Sequence, residues 1–313
     1  MKRTAPFQPD EAGRILDSTG MFLASQMPSV HIGAAVSYGA AAKTLYDRYI
    51  ASCTPKDAAV KANLHFSLAK WRLGKIVYDF DTVFFRELRR TKDTQLQLAV
   101  LRRLPYFSFY IHCPERGSVG FVVYVEPHDN GTCLLSSIQL FNGGGRLSFR
   151  SFSLWLLDGE SVTDAMRRVV QKMRVPDGGQ AAYGDFSSYA DGVEVQNYAY
   201  MAKSSLLAAY YLASRNAEVR PVRRPDTLDV VHSQHARNDR EPMQVRIFRV
   251  GHQVGETLRE VSVASCGRKP WQGGTKRPHI RAAHWHHYRT GAGRARVEVR
   301  WLLPILVNCV DSG

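Results

Sequence analysis

The chain has 313 residues, of which 44% are hydrophobic, and carries a formal net charge of +14. It holds enough apolar material for one large core or two modest ones, and a positive surplus of this size favours polyanions such as RNA, DNA or a ribosome. Five cysteines without C-x-x-C spacing, no apolar run of roughly 18 residues and no signal-peptide pattern after Met1-Lys2-Arg3 argue against a disulfide framework, a zinc ribbon, a membrane span and export, and for a cytoplasmic protein.

Residues 1–30 are mixed, with Pro6, Pro9 and Pro28, and read as a short packed arm through Ile15, Leu16, Met21, Phe22 and Leu23. His31 to Cys53 reads as an Ala-rich helix. Pro55 interrupts it, and Thr54 is positioned to cap the next helix. That helix shows the longest apolar stripe of the chain: Leu64, Leu68 and Trp71, continued by Ile76, Phe80, Val83, Phe84 and Leu88. Arg86, Arg89 and Arg90 stand at its end, where cations suit the helix dipole.

From Leu104 the period changes to that of strands: Tyr106 to His112, Gly120 to Glu126, Cys133 to Leu140 and Leu147 to Leu157. Asp129-Asn130-Gly131 is a hairpin turn signal. Gly143-Gly144-Gly145 is read as a plain turn, because no Lys-Ser/Thr follows it. Together these segments predict an antiparallel meander. Ser161 to Asp164 resembles a capping box opening a helix over Ala165 to Met173, and Asn197 to Ser214 reads as an apolar helix. Asn216 to Glu241, with five arginines and two prolines, reads as a basic linker, and Met243 to Val250 as a strand returning to the C-terminal module.

The C-terminal stretch is the densest in cations, imidazoles and rings. It runs Lys276-Arg277-Pro278-His279-Ile280-Arg281, then His284-Trp285-His286-His287-Tyr288-Arg289, then a turn at Gly291 and Gly293. After the turn, Arg296, Glu298 and Arg300 alternate with Val297, Val299 and Trp301. The two arms predict a hairpin, with His284, His286 and Tyr288 on one face and Trp285, His287 and Arg289 on the other. Cations attract phosphate and flat rings stack on bases, so Lys276, Arg277, His279, Arg281, His284, Trp285, His286, His287, Tyr288, Arg289, Arg294 and Arg296 are read as an RNA-binding surface. Trp301 reads as hairpin core, and Trp285 is open to either role.

Other chemistry is thinly supported. His252, His279, His284, His286 and His287, with Cys266 or Cys309, supply potential zinc donors, but the spacing matches no common zinc module and His286 and His287 point to opposite faces of a strand. No metal or other cofactor is expected. Two histidines beside a phosphate can cleave RNA as base and acid. Glu298 and Asp311 are a small supply of carboxylates for a metal-dependent nuclease. The leading reading is non-enzymatic. A ribonuclease using the C-terminal histidines and a plain protein-binding module are the alternatives.

The Lys276 to Arg281 run, His284-Trp285-His286, the Gly turn, Val299 to Trp301 and the closing Val307-Asn308 together resemble the C-terminal signature of a family of type V-A anti-CRISPR inhibitors found on phages and plasmids. Fainter echoes lie in Trp71 to Leu88 and Leu104-Pro105-Tyr106-Phe107. Ala282-Ala283 stand where the family pattern has a basic residue and a glycine. The resemblance implies a protein that recognises a nascent segment of a CRISPR effector nuclease and promotes loss of its mRNA, in contact with RNA or the ribosome. The expected architecture is α+β: a helical N-terminal part, an antiparallel sheet, further helices and a basic C-terminal β-hairpin. Residues 1–215 would recognise the partner, 216–242 would link, and 243–313 would form the basic module.

Overall fold

The computed structural model describes residues 8–91, 95–115, 118–143, 146–161, 163–165, 167–168, 192–222, 244–266 and 279–307. Helices α1 (Pro9–Gln26), α2 (Tyr38–Tyr49) and α3 (Pro55–Arg72) lead into strand β1 (Ile76–Phe80) and helix α4 (Thr82–Arg90). A 3-10 turn, Leu98–Arg103, precedes β2 (Ser108–Glu115), β3 (Ser118–Pro127), β4 (Thr132–Gly143) and β5 (Arg146–Leu157). Helix α5 (Gly192–Leu212), strands β6 (Val219–Pro221) and β7 (Arg246–Val250) and helix α6 (His252–Cys266) follow. Strands β8 (His279–Arg281), β9 (His284–Thr290), β10 (Arg296–Leu302) and β11 (Ile305–Val307) complete the α+β fold.

Seven strands form one sheet in the order β5-β4-β3-β2-β1-β7-β6. The predicted meander is present as β2 to β5, all antiparallel, but β1 runs parallel to both β2 and β7, so the sheet is mixed. Side-chain alternation divides the sheet between two layers. Val77, Tyr110, Val122 and Ile138 face α1 and α3, and Tyr124 and Leu134 face α2 and α3. Tyr78, Phe109, Ile111, Val123, Leu135 and Leu154 face α4, α5 and the C-terminal hairpin.

The stripe read as one helix to Leu88 is in fact helix, strand, helix. Lys75 at φ 48 ends α3, and the Trp71 indole donates to Ile76 O at 2.7 Å. Ile76–Phe80 then becomes the strand between β2 and β7. A central parallel strand is apolar on both faces, which a helical stripe mimics over five residues. Thr54 caps α3 as expected, accepting from Asp57 N–H, and Asp81 caps α4 by accepting from Val83 and Phe84. The Ser161 cap is formed, with Asp164 N–H donating to Ser161 Oγ at 3.0 Å. Beyond residue 168 that helix lies outside the described residues.

Other boundaries differ. The N-terminal arm is an 18-residue helix, and α2 covers only Tyr38–Tyr49 of the span His31 to Cys53. Residues 219–221, read as linker, form β6 on the sheet edge, while 223–243 lie outside the described residues. The returning strand, β7, pairs with β1 in the main sheet. Helix α6 was not anticipated. Its first N–H groups, at Gln253 and Val254, donate to the Glu218 carboxylate at 3.1 Å each. Cys113 and Cys133 are buried free thiols whose pKa is pushed up to about 12 by burial, which makes them poor nucleophiles. No helix among the described residues is long and apolar enough to cross a membrane.

Gly251 joins β7 to α6 at φ 68, and a Cβ there would collide with the Phe84 ring. Gly251→Ala is expected to destabilise by about 2 kcal/mol or more, because both the backbone conformation and the space are wrong. Gly39→Ala, in α2 with open space around the new methyl, is expected to change stability by less than about 1 kcal/mol and in the stabilising direction. Urea titrations of the two variants measure the contrast.

Candidate nucleic-acid interface

The hairpin forms with the predicted faces. Strands β9 and β10 pair antiparallel in the register Trp285↔Trp301, His286↔Arg300, His287↔Val299 and Tyr288↔Glu298. Gly291 and Gly293 turn the chain at φ 81 and 62.

One face is a hydrophobic foot. Trp301 is 2% exposed. Its ring meets Phe84 edge-on at 5.2 Å, and its indole N–H donates to Thr91 Oγ1 at 3.0 Å. Trp285 packs edge-on against Tyr210 at 5.0 Å. Both tryptophans are therefore core, which resolves the open role of Trp285. The backbone is clamped as well. Arg215 N–H donates to Val299 O at 2.9 Å, and the Asn216 side chain both accepts from Trp301 N–H at 3.1 Å and donates to Trp301 O at 2.8 Å.

His287 belongs to this foot. Its Nε2 lies 3.1 Å from Tyr210 Oη, while Gln97 N–H already donates to that oxygen at 3.2 Å. Gln97 N–H takes one lone pair of the phenol oxygen and leaves its proton available to the imidazole, an arrangement that suits a neutral ring accepting at Nε2. Burial, with a smaller repulsion from His286, lowers the His287 pKa accordingly.

The opposite face looks outward. The His286 and Tyr288 rings lie 4.2 Å apart at 38°, and the Arg300 guanidinium sits 5.2 Å over the Tyr288 ring. Arg281 Nη2 is 3.4 Å from His284 Nε2, adding a second cation at the strand's start. Arg289, Arg294 and Arg296 are exposed around the turn. The hairpin's one acid, Glu298, is half-buried and 3.9 Å from Arg215. Arg300 was absent from the sequence-derived RNA-binding set, although it lies opposite His286 and its alternation with Val299 and Trp301 marks the same face. Lys276 and Arg277 lie outside the described residues. His279 is in β8, paired with Val307.

These groups come together as a ring platform edged by guanidinium groups. That geometry suits a stacked base flanked by phosphates. It is less suited to catalysis with all three histidines, because His287 is held inward on Tyr210. Among the described residues no group of three or more His, Cys, Asp or Glu is arranged to hold a metal ion.

The family model for AcrVA2-like proteins, the anti-CRISPR type V subtype A2 family, matches residues 78–309. The crystal structure of AcrVA2 is similar in fold, with a TM-score of 0.53 and 15% sequence identity over 95% of this chain and 98% of that one. No curated protein matches the chain.

Two outcomes are expected here. Replacing Tyr288 or Arg300 by Ala should weaken single-stranded RNA binding roughly tenfold each, with unchanged melting temperature, and Arg300→Ala should lower the slope of affinity against salt by about one. Fluorescence anisotropy across a salt series reads both. The second concerns acid. A histidine held neutral by the fold lets the unfolded chain take up protons more readily, so stability is full above the ordinary pKa of 6.5 and declines as pH falls below it. His287→Gln should flatten that decline in urea titrations between pH 7.5 and about 5, leaving the share due to His65, which burial also lowers.

Proposed function

The chain belongs to the anti-CRISPR type V subtype A2 family, and from that premise we propose that it recognises a nascent segment of a type V-A CRISPR effector nuclease and promotes loss of the encoding mRNA. As a family member it is an anti-CRISPR protein of the type V-A class. The observation that carries the proposed route is the outward face of the hairpin, where Arg281, His284, His286, Tyr288 and Arg300 lie together with no carboxylate ion-paired to either arginine among the described residues. Work beside a transcript or ribosome would use such a surface, its guanidinium groups on phosphates and its rings on bases.

In this reading the chain acts in the cytoplasm of a bacterial host, from a phage or plasmid, and is not itself the nuclease. The segment 243–313 supplies the device common to relatives, and residues 1–215 select the partner. The family match begins at residue 78, which leaves α1, α2 and all of α3 outside the matched span. That is consistent with a variable N-terminal layer.

Capture of the full chain from cells making the effector, followed by RNA sequencing and identification of nascent peptides, is expected to recover the effector's transcript and its N-terminal chains together. The Tyr288→Ala, Arg300→Ala double variant should retain the peptides and lose the RNA. Recovery of neither partner by the unaltered chain contradicts the proposal, and degradation of labelled RNA by the purified protein would replace it with a ribonuclease.

A further inference from the structure

The seven-stranded sheet ends on β5, a twelve-residue edge strand without a proline. In an antiparallel ladder, alternate residues turn both backbone groups toward the neighbour and the rest turn both away. The parity is fixed here by three bonds. Asp158 N–H, at an even position, donates inward to Gly131 O at 3.1 Å. At odd positions, Leu157 N–H donates outward to Glu160 Oε2 at 3.2 Å, and Trp155 O accepts from Arg168 Nη2. The Glu160–Arg168 ion pair, at 2.9 Å, therefore closes one end of the edge. Upstream of it, the outward N–H and C=O groups of Phe149, Ser151 and Ser153 meet no hydrogen-bond partner among the described residues.

Side chains flank this opening on two faces. On the odd face the small Ser151 and Ser153 lie between Phe149 and Trp155; the buried Tyr38 of α2 covers Ser153, its Oη 3.0 Å from Ser153 Oγ, and Trp155 is 47% exposed. On the even face Arg150 lies over the Phe141 ring at 5.2 Å and has no carboxylate partner among the described residues. A row of backbone donors and acceptors unpaired among the described residues, at strand spacing, is complementary to an extended chain and to little else. Beside Ser151 the small side chain leaves room for an apolar residue of that chain, and Arg150 selects an acidic residue on its other face. A second copy of this protein fits poorly, since edge-to-edge pairing would bring two Arg150 groups and two chains of net charge +14 together.

We propose that the outward edge of β5 at Phe149, Ser151 and Ser153 is a docking site for an extended polypeptide segment that pairs with these backbone groups and carries an apolar side chain beside Ser151 and an acidic one against Arg150. The site lies on the main sheet, and the inference stands whether or not the hairpin contacts RNA.

The probe is a capped heptapeptide with valine or phenylalanine at alternate positions and glutamate between them, compared with its lysine-for-glutamate counterpart. Binding to the full chain is read by anisotropy and by amide hydrogen exchange. The glutamate peptide is expected to slow exchange at Phe149, Ser151 and Ser153 and to bind at least roughly tenfold more tightly than the lysine peptide. Ser151→Pro removes one outward N–H without touching the bonds to β4, and should weaken binding by a similar factor at unchanged circular dichroism. Arg150→Glu, which alters no backbone group, should invert the preference between the two peptides even if the proline variant folds poorly. Equal binding of both peptides to both variants, absent protection at those three amides, or protection that grows with protein concentration alone would overturn the assignment, the last by showing the edge occupied by a second copy.

Discussion

The structure depends on where two indoles go. Trp285 and Trp301 face each other across the hairpin and both lie in the core, against Tyr210, Tyr211 and Phe84. Burying side chains of that size is worth several kcal/mol. Because strand side chains alternate with a period of two, a one-residue slip would exchange the faces and drive His286 and Arg300 into the core. The register that buries the tryptophans thus also turns His286, Tyr288 and Arg300 to solvent. Anchoring and presentation are one constraint seen from two sides.

The constraint extends into the body of the molecule. Arg215 and Asn216, just after α5, bond the backbone of β10, while Thr91, just after α4, receives the Trp301 indole. The hairpin is therefore held by the same two helices that cover the sheet. A platform so fixed does not need to be ordered on binding, which lowers the entropic cost of gripping a flexible strand. Acids are concentrated elsewhere, in structural pairs such as Asp17 with Arg72 and Lys75, or Glu115 with Arg89.

Much of this was legible in the sequence, and unevenly so. The hairpin, its faces and the meander follow from alternation and glycine placement, signals local to each segment. Thr54 and Ser161 sit where their short polar side chains cap helices, whereas the cap at Asp81 was hidden inside a stripe read as one helix. Strand β1 was missed because both of its faces are buried, which erases alternation, and because it adjoins a helix of similar composition. Helix α6 was missed because its cap is Glu218, more than thirty residues upstream, joined to it only by the fold. The inward role of Trp285 could not be read from its neighbours, since it depends on Tyr210. The odd-numbered opening along β5 depends on sheet order, which no local pattern encodes.

On the proposed function, the outward face of the hairpin touches RNA while its inward face does not. Ultraviolet crosslinking of the intact protein to a uridine-containing single strand, with adducts mapped by mass spectrometry, tests it most directly. The account predicts adducts on Tyr288 and His286 and none on Trp285 or Trp301. Adducts confined to other parts of the chain, or on the buried tryptophans of a folded protein, would contradict it.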